Sequence, residues 1–183
     1  GNEPGEVVSD WARCVEMETE LSGSLPMNDG VVLENINGIK KFLAHHILRF
    51  AHNHGSAIIV GYGESPLIEW LEDVRGILTI CGMDVSHMVD TNGSIKVING
   101  SVGTLEDVAG NIYINGDVEN LVNVRGTIKI SGDVGSISGI DGARGNVHIE
   151  GSVLGNIESM HGILTVDGSI LGSIKDSRGK ILN

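Results

Sequence analysis

Aromatic residues are scarce in this sequence. The chain has 183 residues, of which two Trp, two Tyr and two Phe make up only 3%. Any core must therefore be built from aliphatic side chains. The sequence also lacks the interleaved basic and aromatic residues on which the bases of single-stranded nucleic acid stack, so nucleic acid is not an expected partner.

Proline, cysteine and long apolar runs are scarce as well. There are three prolines and two cysteines, and no apolar run reaches the length of a membrane span, so membrane insertion is not expected. No signal peptide is visible. Cys14 and Cys81 are too few for a disulfide framework, although they could pair in an oxidising compartment. Because Cys81 falls at an outward strand position, we expect it to be an unpaired thiol.

Basic residues are half as frequent as acidic ones. Twelve Lys and Arg accompany 24 Asp and Glu, which gives a formal net charge of −12. The excess is spread along the chain, since residues 1–75 hold 12 acids and five bases and residues 76–183 hold 12 acids and seven bases. A dispersed acidic surface mainly favours solubility. Mimicry of DNA by this surface is a minor alternative.

Glycine, in contrast, is abundant and regularly placed. Seven of the 27 glycines open a repeated unit, at spacings of 17, 17, 16, 19, 17 and 17 residues: Gly76, Gly93, Gly110, Gly126, Gly145, Gly162 and Gly179. Aliphatic residues occupy the second and fourth positions after the first six: Leu78/Ile80, Ile95/Val97, Ile112/Ile114, Ile128/Ile130, Val147/Ile149 and Leu164/Val166. A second glycine follows each pair, and more aliphatic residues recur after it.

This period predicts a β-solenoid. Alternating aliphatic residues lie on one face of a short strand, and the glycine after them allows the backbone conformations that a sharp corner needs. Each unit would make three short sides with inward aliphatic residues, and one coil needs neighbours to complete its core. The extra residues at Asn99 and Asp141–Arg144 belong at outward corners. We therefore predict a mainly β fold, a single-chain parallel β-helix with about 17 residues per coil.

An α-helix is predicted before the solenoid. Apolar residues recur at intervals of three and four over Asn37–Asn53, with Asn37 as N-cap and Gly55 just beyond the end: Ile39, Phe42, Leu43, His46, Ile47 and Phe50. We expect residues 1–54 to be an N-terminal segment with this α-helical cap. Residues 55–183 would then be the solenoid, with about seven coils.

Shorter stretches complete this outline. Gly55–Arg75 matches a first, degenerate coil with an insertion near Tyr62–Pro66. Val31–Leu33 has the pattern of a short strand, and Ser22–Gly30 that of a loop. Trp11–Leu21 fits a short helix or a strand.

The C-terminal residues begin a further unit. Gly179–Asn183 contains one strand, no cap sequence follows it, and Ile181 falls at the first inward position. An open row of strand groups with apolar side chains favours pairing with another chain. We therefore expect the assembly interface to comprise Gly179, Ile181, Leu182 and Asn183, and the protein to form a homo-oligomer or to meet a different protein.

No group of residues predicts a reaction, and we expect no catalytic, cofactor-binding or metal-binding site. Four histidines cluster in the predicted cap without a carboxylate or thiol at ligand spacing, so solvated or half-buried side chains are favoured over a metal site: His45, His46, His52 and His54. Glu69, Glu72 and Asp73 fit a solvated coil edge as well as a carboxylate site. Aspartates at corners, such as Asp117 and Asp133, are expected to accept hydrogen bonds from their own backbone.

The repeat resembles known β-helix proteins. Gly110–Val118 and Gly126–Val134 share the pattern Gly-x-Ile-x-Ile-x-Gly-Asp-Val. This is similar to the short coils of bactofilins, bacterial cytoskeletal proteins that polymerise end to end, and to the stems of phage spikes and surface adhesins. Leu71–Ile80 also resembles the L domains of cell-surface receptors, whose coils are longer. Hexapeptide-repeat acyltransferases and γ-class carbonic anhydrases match less well, because their hexad period is strict.

These observations favour a non-enzymatic structural protein that self-associates, in a filament, a virion or a cell surface. The resemblance implies an architecture, and it carries no catalytic residue over to this chain. A protein-binding or inhibitor module that uses the acidic solenoid surface is the alternative. A carbohydrate-active β-helix enzyme is less favoured, because no column of the repeat brings carboxylates together.

Overall fold

The computed structural model describes residues 23–24 and 30–183, and within them all regular structure is β-strand. The strands alternate between two parallel sheets, so that consecutive strands never lie in the same sheet. Sheet A has ten strands, in chain order: β1 (Gly23–Ser24), β3 (Ile39–Ala44), β5 (Ser56–Gly61), β7 (Ile77–Cys81), β9 (Ser94–Ile98), β11 (Asn111–Ile114), β13 (Thr127–Ile130), β15 (Asn146–Ile149), β17 (Ile163–Val166) and β19 (Lys180–Leu182).

Sheet B has nine strands, again stacked in chain order: β2 (Val31–Glu34), β4 (His46–Ala51), β6 (Leu67–Glu72), β8 (Asp84–Val89), β10 (Val102–Glu106), β12 (Val118–Val124), β14 (Val134–Ile140), β16 (Ile157–Met160) and β18 (Ile174–Lys175). Each coil contributes one strand to each sheet. The result is a β-solenoid of about nine turns with about 17 residues per coil, which confirms the predicted fold class.

The core consists of continuous columns of aliphatic side chains. In sheet A, Ile112 pairs with Ile95 on one side and with Ile128 on the other, and Ile128 pairs with Val147. All four are at most 1% exposed. The predicted vertical stacking of these residues is therefore confirmed. Two further columns run through sheet B, where Val118 and Leu121 pair with Val134 and Ile137.

The predicted helix over Asn37–Asn53 is wrong. This stretch forms the two strands β3 and β4, which meet at His45 and belong to the same stack as the later coils. Phe42, Ile47 and Phe50 turn towards the core, whereas Ile39 is 75% exposed. Intervals of three and four residues arise here because two short inward-facing strands are joined by a corner. No described residue therefore supports an α-helical cap.

The repeat pattern did not reveal this coil because its first inward position does not hold an aliphatic residue. Lys40 stands there, paired with Ala57, where the later coils have Leu, Ile or Val. Two other signals were present. Gly38 precedes Gly55 by 17 residues, and Ile47 and Phe50 have the same spacing as Ile68 and Leu71 in the next coil.

One corner of each coil is made by a residue with positive φ. These residues lie directly after the sheet B strand or at its second-last position. Most are Asp or Asn, which tolerate this conformation better than other non-glycine residues: Asn35, His52, Asp73, Asp90, Asp107, Asn123, Gly139, Ser159 and Asp176. The next residue faces inward and builds a third column, which includes Val74, Val108 and Val124.

The glycine that follows each aliphatic pair was predicted to allow the backbone conformation of a corner, and of these six glycines Gly82 alone has positive φ. The glycines that open the units have a different role. None of the seven glycines that open the predicted units has positive φ. A Cβ on Gly110 would instead collide with the carbonyl oxygen of Gly93 in the coil below, and Gly126 stands in the same relation to Gly110. Glycine is needed at this corner because adjacent coils approach too closely for a side chain.

Insertions lie at corners, as predicted. Asn99 is exposed between β9 and β10, and Gly142–Arg144 is an exposed turn between β14 and β15. Tyr62–Pro66 separates β5 from β6. Val31–Leu33 is strand as expected, within β2. The expectation for Trp11–Leu21 lies outside the described residues, as does most of Ser22–Gly30, of which residues 23–24 are strand.

Candidate functional site

The C-terminal coil presents an incompletely covered core. Ile170, Ile174 and Ile181 continue three inner columns into this coil, paired with Val153, Ile157 and Leu164. Ile157 and Leu164 are 0% exposed, but Ile174 is 48% exposed and Ile181 is only partly buried. The columns therefore end in apolar side chains that contact solvent.

The four predicted interface residues occupy this end in distinct ways. Gly179 N–H donates to the Met160 carbonyl at 3.0 Å. Ile181 packs on the core, and Leu182 points outward and is 43% exposed. Asn183 Nδ2 donates to the carbonyl oxygens of Val166, at 2.9 Å, and Gly168, at 2.7 Å.

More apolar surface borders this end. Leu171 is 67% exposed and Leu154, one coil below, is 52% exposed. β18 and β19 each pair with one neighbour, β16 and β17, whereas the strands between the two ends of each sheet pair on both sides. Unpaired strand groups beside apolar side chains are the features that favour addition of a further strand.

The four clustered histidines lie on strands and corners of the first described coils. His46 Nε2 lies 3.3 Å from Glu69 Oε2, and His52 Nδ1 lies 2.9 Å from Asp73 Oδ2. His54 Nε2 is 3.7 Å from the same Asp73 oxygen. His45 Nε2 contacts the Glu64 carbonyl at 2.7 Å. His52 and His54 thus share Asp73, whereas His45 and His46 contact other residues of the next coil.

Asp73 is the centre of the densest charged group. Its other oxygen, Oδ1, accepts a hydrogen bond from Arg75 Nε at 2.7 Å. The hydrogen bonds from His52 and Arg75 lower the pKa of Asp73 from 3.8 to about 2, and the same carboxylate raises the pKa of Arg75. Asp73 also has φ of 50°, so these contacts secure a corner whose backbone conformation is unusual for a side-chain-bearing residue.

The carboxylates considered as a possible site have separate partners. Glu72 Oε2 accepts a hydrogen bond from Arg49 Nη2 at 2.7 Å, and Arg49 Nε also lies 3.6 Å from Glu34. Glu69 pairs with His46, and Asp73 with His52 and Arg75. Most of these contacts join adjacent coils, whereas the Asp73–Arg75 pair lies within one coil. Each of the three carboxylates therefore has a basic side chain as its partner.

Polar side chains at another corner join each coil to the next. Asp117 Oδ1 accepts the Asp133 N–H at 2.8 Å, and Asp133 Oδ1 accepts the Ser152 N–H at 2.8 Å. Serine acts in the same way, since Ser152 Oγ accepts the Ser169 N–H at 3.0 Å. The expectation that Asp117 and Asp133 bond their own backbone is wrong, because the open backbone N–H group at this corner belongs to the following coil.

Two shallow grooves of about 540 Å³ each lie on the surface. One follows the positive-φ corner, where Asp90 and Asp107 face Arg125 and His161. The other lies beside sheet B and includes His87, whose ring is 5.1 Å from that of Trp70. Neither groove was found from the sequence, because corner residues of different coils meet only after the coils are stacked.

Cys81 differs from expectation. It is 0% exposed and disulfide-bonded, so the predicted unpaired thiol is wrong. The other cysteine of the chain, Cys14, lies outside the described residues. The signal in the repeat pattern was the pair of apolar residues Val60 and Ile98 at the same outward position of the two neighbouring coils.

Residues 30–183 contain neither a metal-binding cluster nor a membrane-spanning helix. No three His, Cys, Asp or Glu side chains of this region come together in a way that could hold a metal ion. The same region has no helix that is long and apolar enough to cross a membrane.

Comparison with known proteins gives no family. No family model matches the sequence, and no curated protein or solved structure matches it significantly.

Proposed function

We propose that this protein is a non-enzymatic structural component that self-associates through its C-terminal coil. The observation that supports this proposal is the exposure of inner-column residues at that end, Ile174 above all, beside the single-sided strands β18 and β19. The occupant would be a second copy of the chain, whose strands extend the stack and cover the exposed columns.

The strand edge sets how two copies meet. Backbone N–H and C=O groups along β19 would pair with a strand of the second copy, and Leu182 and Leu171 would add apolar contact around the core. If the same end of both copies meets, the interface is two-fold and the product is a dimer. If it meets the opposite end, growth is open and the product is a filament.

The resemblance to bactofilins supports the filament form, and the resemblance to spike stems and adhesins supports a virion or cell-surface setting. Both likenesses rest on coil length and on the Gly-x-Ile-x-Ile pattern. They support the architecture alone, because a shared fold does not imply a shared function.

The test is the molar mass in solution, measured by size-exclusion chromatography with light scattering over a wide concentration range. We expect association in the wild type and its loss in the double variant Ile174→Lys, Leu182→Lys, because buried lysines would oppose contact. Ile77→Lys is the matched control, since Ile77 is 59% exposed in the middle of the stack. A wild type that stays monomeric at high concentration, or a control that dissociates equally, would contradict the proposal.

An acidic binding surface is the second candidate. Asp73, Asp90 and Asp107 stand at the same corner of three consecutive coils, on a chain with net charge −12. Such a row would attract a basic protein partner and make its binding salt-dependent. Capture of a partner by the wild type that survives the Ile174→Lys, Leu182→Lys change but not Asp90→Asn, Asp107→Asn would favour this role over self-assembly.

A further inference from the structure

An apolar strip lies on the outer face of sheet A. Leu43, Val60, Cys81 and Ile98 pair in succession across four adjacent strands. Their neighbours Ile59, Ile80 and Val97 belong to the inner columns, so the side chains of the strip point away from the core. Nevertheless Val60, Cys81 and Ile98 are only 3%, 0% and 1% exposed.

The described strands explain this burial only in part, since Ile58 and Tyr113 pack against the strip from within the same sheet. Every described strand belongs to sheet A or sheet B, and none lies across the outside of sheet A. The strip is also limited in length, because the same position is polar in the following coils: Asn115, Ser131, Glu150 and Asp167. A cover that extends over the first coils but not the later ones fits this change of polarity.

The disulfide identifies the cover. Cys81 is disulfide-bonded, and the chain has one other cysteine, Cys14. We propose that the segment of chain around Cys14 is seated on the strip of Leu43, Val60, Cys81 and Ile98, and that a Cys14–Cys81 disulfide holds it there.

The chain is long enough for this connection. Ser24 pairs with Leu43, so Cys81 lies three strand positions away from Ser24 across sheet A, or about 14 Å at the usual strand spacing. Cys14 precedes Ser24 by ten residues. Ten residues span up to about 33 Å when fully extended, so the bond needs no rearrangement of the solenoid.

Charge also favours this segment as the occupant. Residues 1–22 contain six acidic residues and one basic residue. The outward row beside the strip includes Lys41 and Lys96. An acidic segment laid over a row with two lysines gains favourable electrostatic contacts along with burial of the apolar strip.

The attachment depends on the redox environment. Two thiols lose two protons and two electrons to a small-molecule disulfide such as oxidised glutathione, which leaves as two thiols while the Cys14–Cys81 bond forms. A reducing compartment reverses the exchange and leaves the strip covered by noncovalent contacts alone. The N-terminal segment is therefore attached covalently to the strip only under oxidising conditions.

The first test is the covalent state of the full chain after equilibration with a glutathione redox buffer. We expect a monomer two hydrogen atoms lighter than the reduced form, and a protease digest in which the peptide with Cys14 is joined to the peptide with Cys81. Two free thiols in the folded, oxidised protein would overturn the proposal. So would a disulfide-linked dimer, because it would seat a second copy on the strip.

The second test measures whether the segment covers the strip. In a Cys14→Ser variant, alkylation of Cys81 should be roughly tenfold slower than that of the thiol introduced by Ser131→Cys into a cysteine-free background. Ser131 occupies the same row beyond the proposed cover, so it reports the reactivity of an uncovered position. Equal rates, with unchanged circular dichroism in both variants, would show that nothing shields Cys81 and would refute the seating.

Discussion

Two buried polar residues, Thr91 and Asn53, interrupt the third inner column. The third inner column consists of aliphatic residues, but Thr91 stands in it, is 1% exposed, and has a hydroxyl group for which residues 30–183 supply no hydrogen-bond partner. Asn53 occupies the same column and is satisfied, because its Oδ1 accepts the Ile36 N–H at 2.7 Å and its Nδ2 donates to the Leu33 carbonyl at 3.3 Å. Thr91 is therefore the less favourable of the two polar residues in this column.

We expect Thr91→Val to stabilise the protein. Valine has nearly the same shape and removes the buried hydroxyl, so the free energy of unfolding should rise by about 1–2 kcal/mol, as measured by urea denaturation. Val108→Thr is the matched control in the next coil and should lower it by a similar amount. If Thr91→Val is neutral or destabilising, the hydroxyl is satisfied in solution.

Asp73 gives the fold a specific dependence on pH. Because its pKa is lowered to about 2 in the folded state, the ionised carboxylate adds stability above its usual value of 3.8, and this contribution is lost as pH falls from about 4 through about 2. Asp73→Asn keeps a residue that tolerates positive φ and should flatten the stability profile in this window.

The measurement is the midpoint of urea unfolding at a series of acidic pH values. Asp107→Asn serves as the control, since it removes a carboxylate from the same corner and leaves the His52 and Arg75 contacts intact. A profile of Asp73→Asn that parallels that of the wild type would contradict the assigned role of Asp73.

Corners as well as strands join neighbouring coils in this chain. Each strand is only a few residues long, and its hydrogen bonds are made to other coils. The ladder of Asp84, Ser101, Asp117, Asp133 and Ser152 fixes one corner of each coil to the next through side-chain oxygens. The chemistry required is an acceptor within reach of the next backbone N–H, and either a carboxylate or a hydroxyl group provides it.

Substitution at Asp133 tests this account. Asp133→Ala leaves the Ser152 N–H without its acceptor and should lower the free energy of unfolding by about 1–2 kcal/mol. Asp133→Ser should restore most of the loss, because serine accepts the same bond at Ser101 and Ser152. The free energies of unfolding of the wild type and the two variants are measured by chemical denaturation. Equal losses in both variants would show that the charge of Asp133, and not the hydrogen bond, is what matters.

At the level of elements, spacing predicted the strands correctly wherever the inner positions are aliphatic. From Gly55 onward the pairs of aliphatic residues, their register and the places of the insertions followed from spacing alone. It failed over β3 and β4, because Lys40 interrupts the first column and the corner at His45 turns two alternating patterns into a helical one. Spacing also did not reveal why glycine opens each unit, because the close approach of coils that requires it at Gly110 appears only after stacking.

The whole molecule is a one-dimensional stack, and this limits what its sequence discloses. A repeat specifies contacts between like positions in neighbouring coils, so the core columns follow from the sequence. Grooves, contacts such as His52–Asp73, and the covered strip around Cys81 also join like positions of neighbouring coils. The residue type at these positions changes from coil to coil, so no repeated residue type marks them. The proposed end-to-end association likewise depends on how the last coil exposes Ile174, which only the stacked structure shows.

The stacking of inner columns is the premise of every inference above, and proximity of isoleucine methyl groups in solution tests it most directly. With isoleucine δ1 methyl groups labelled and assigned by Ile→Val substitution, Ile112 should show nuclear Overhauser contacts to both Ile95 and Ile128, its partners one strand spacing away at about 4.8 Å. Contacts from Ile112 to Ile114 alone, with none to Ile95 or Ile128, would contradict the solenoid.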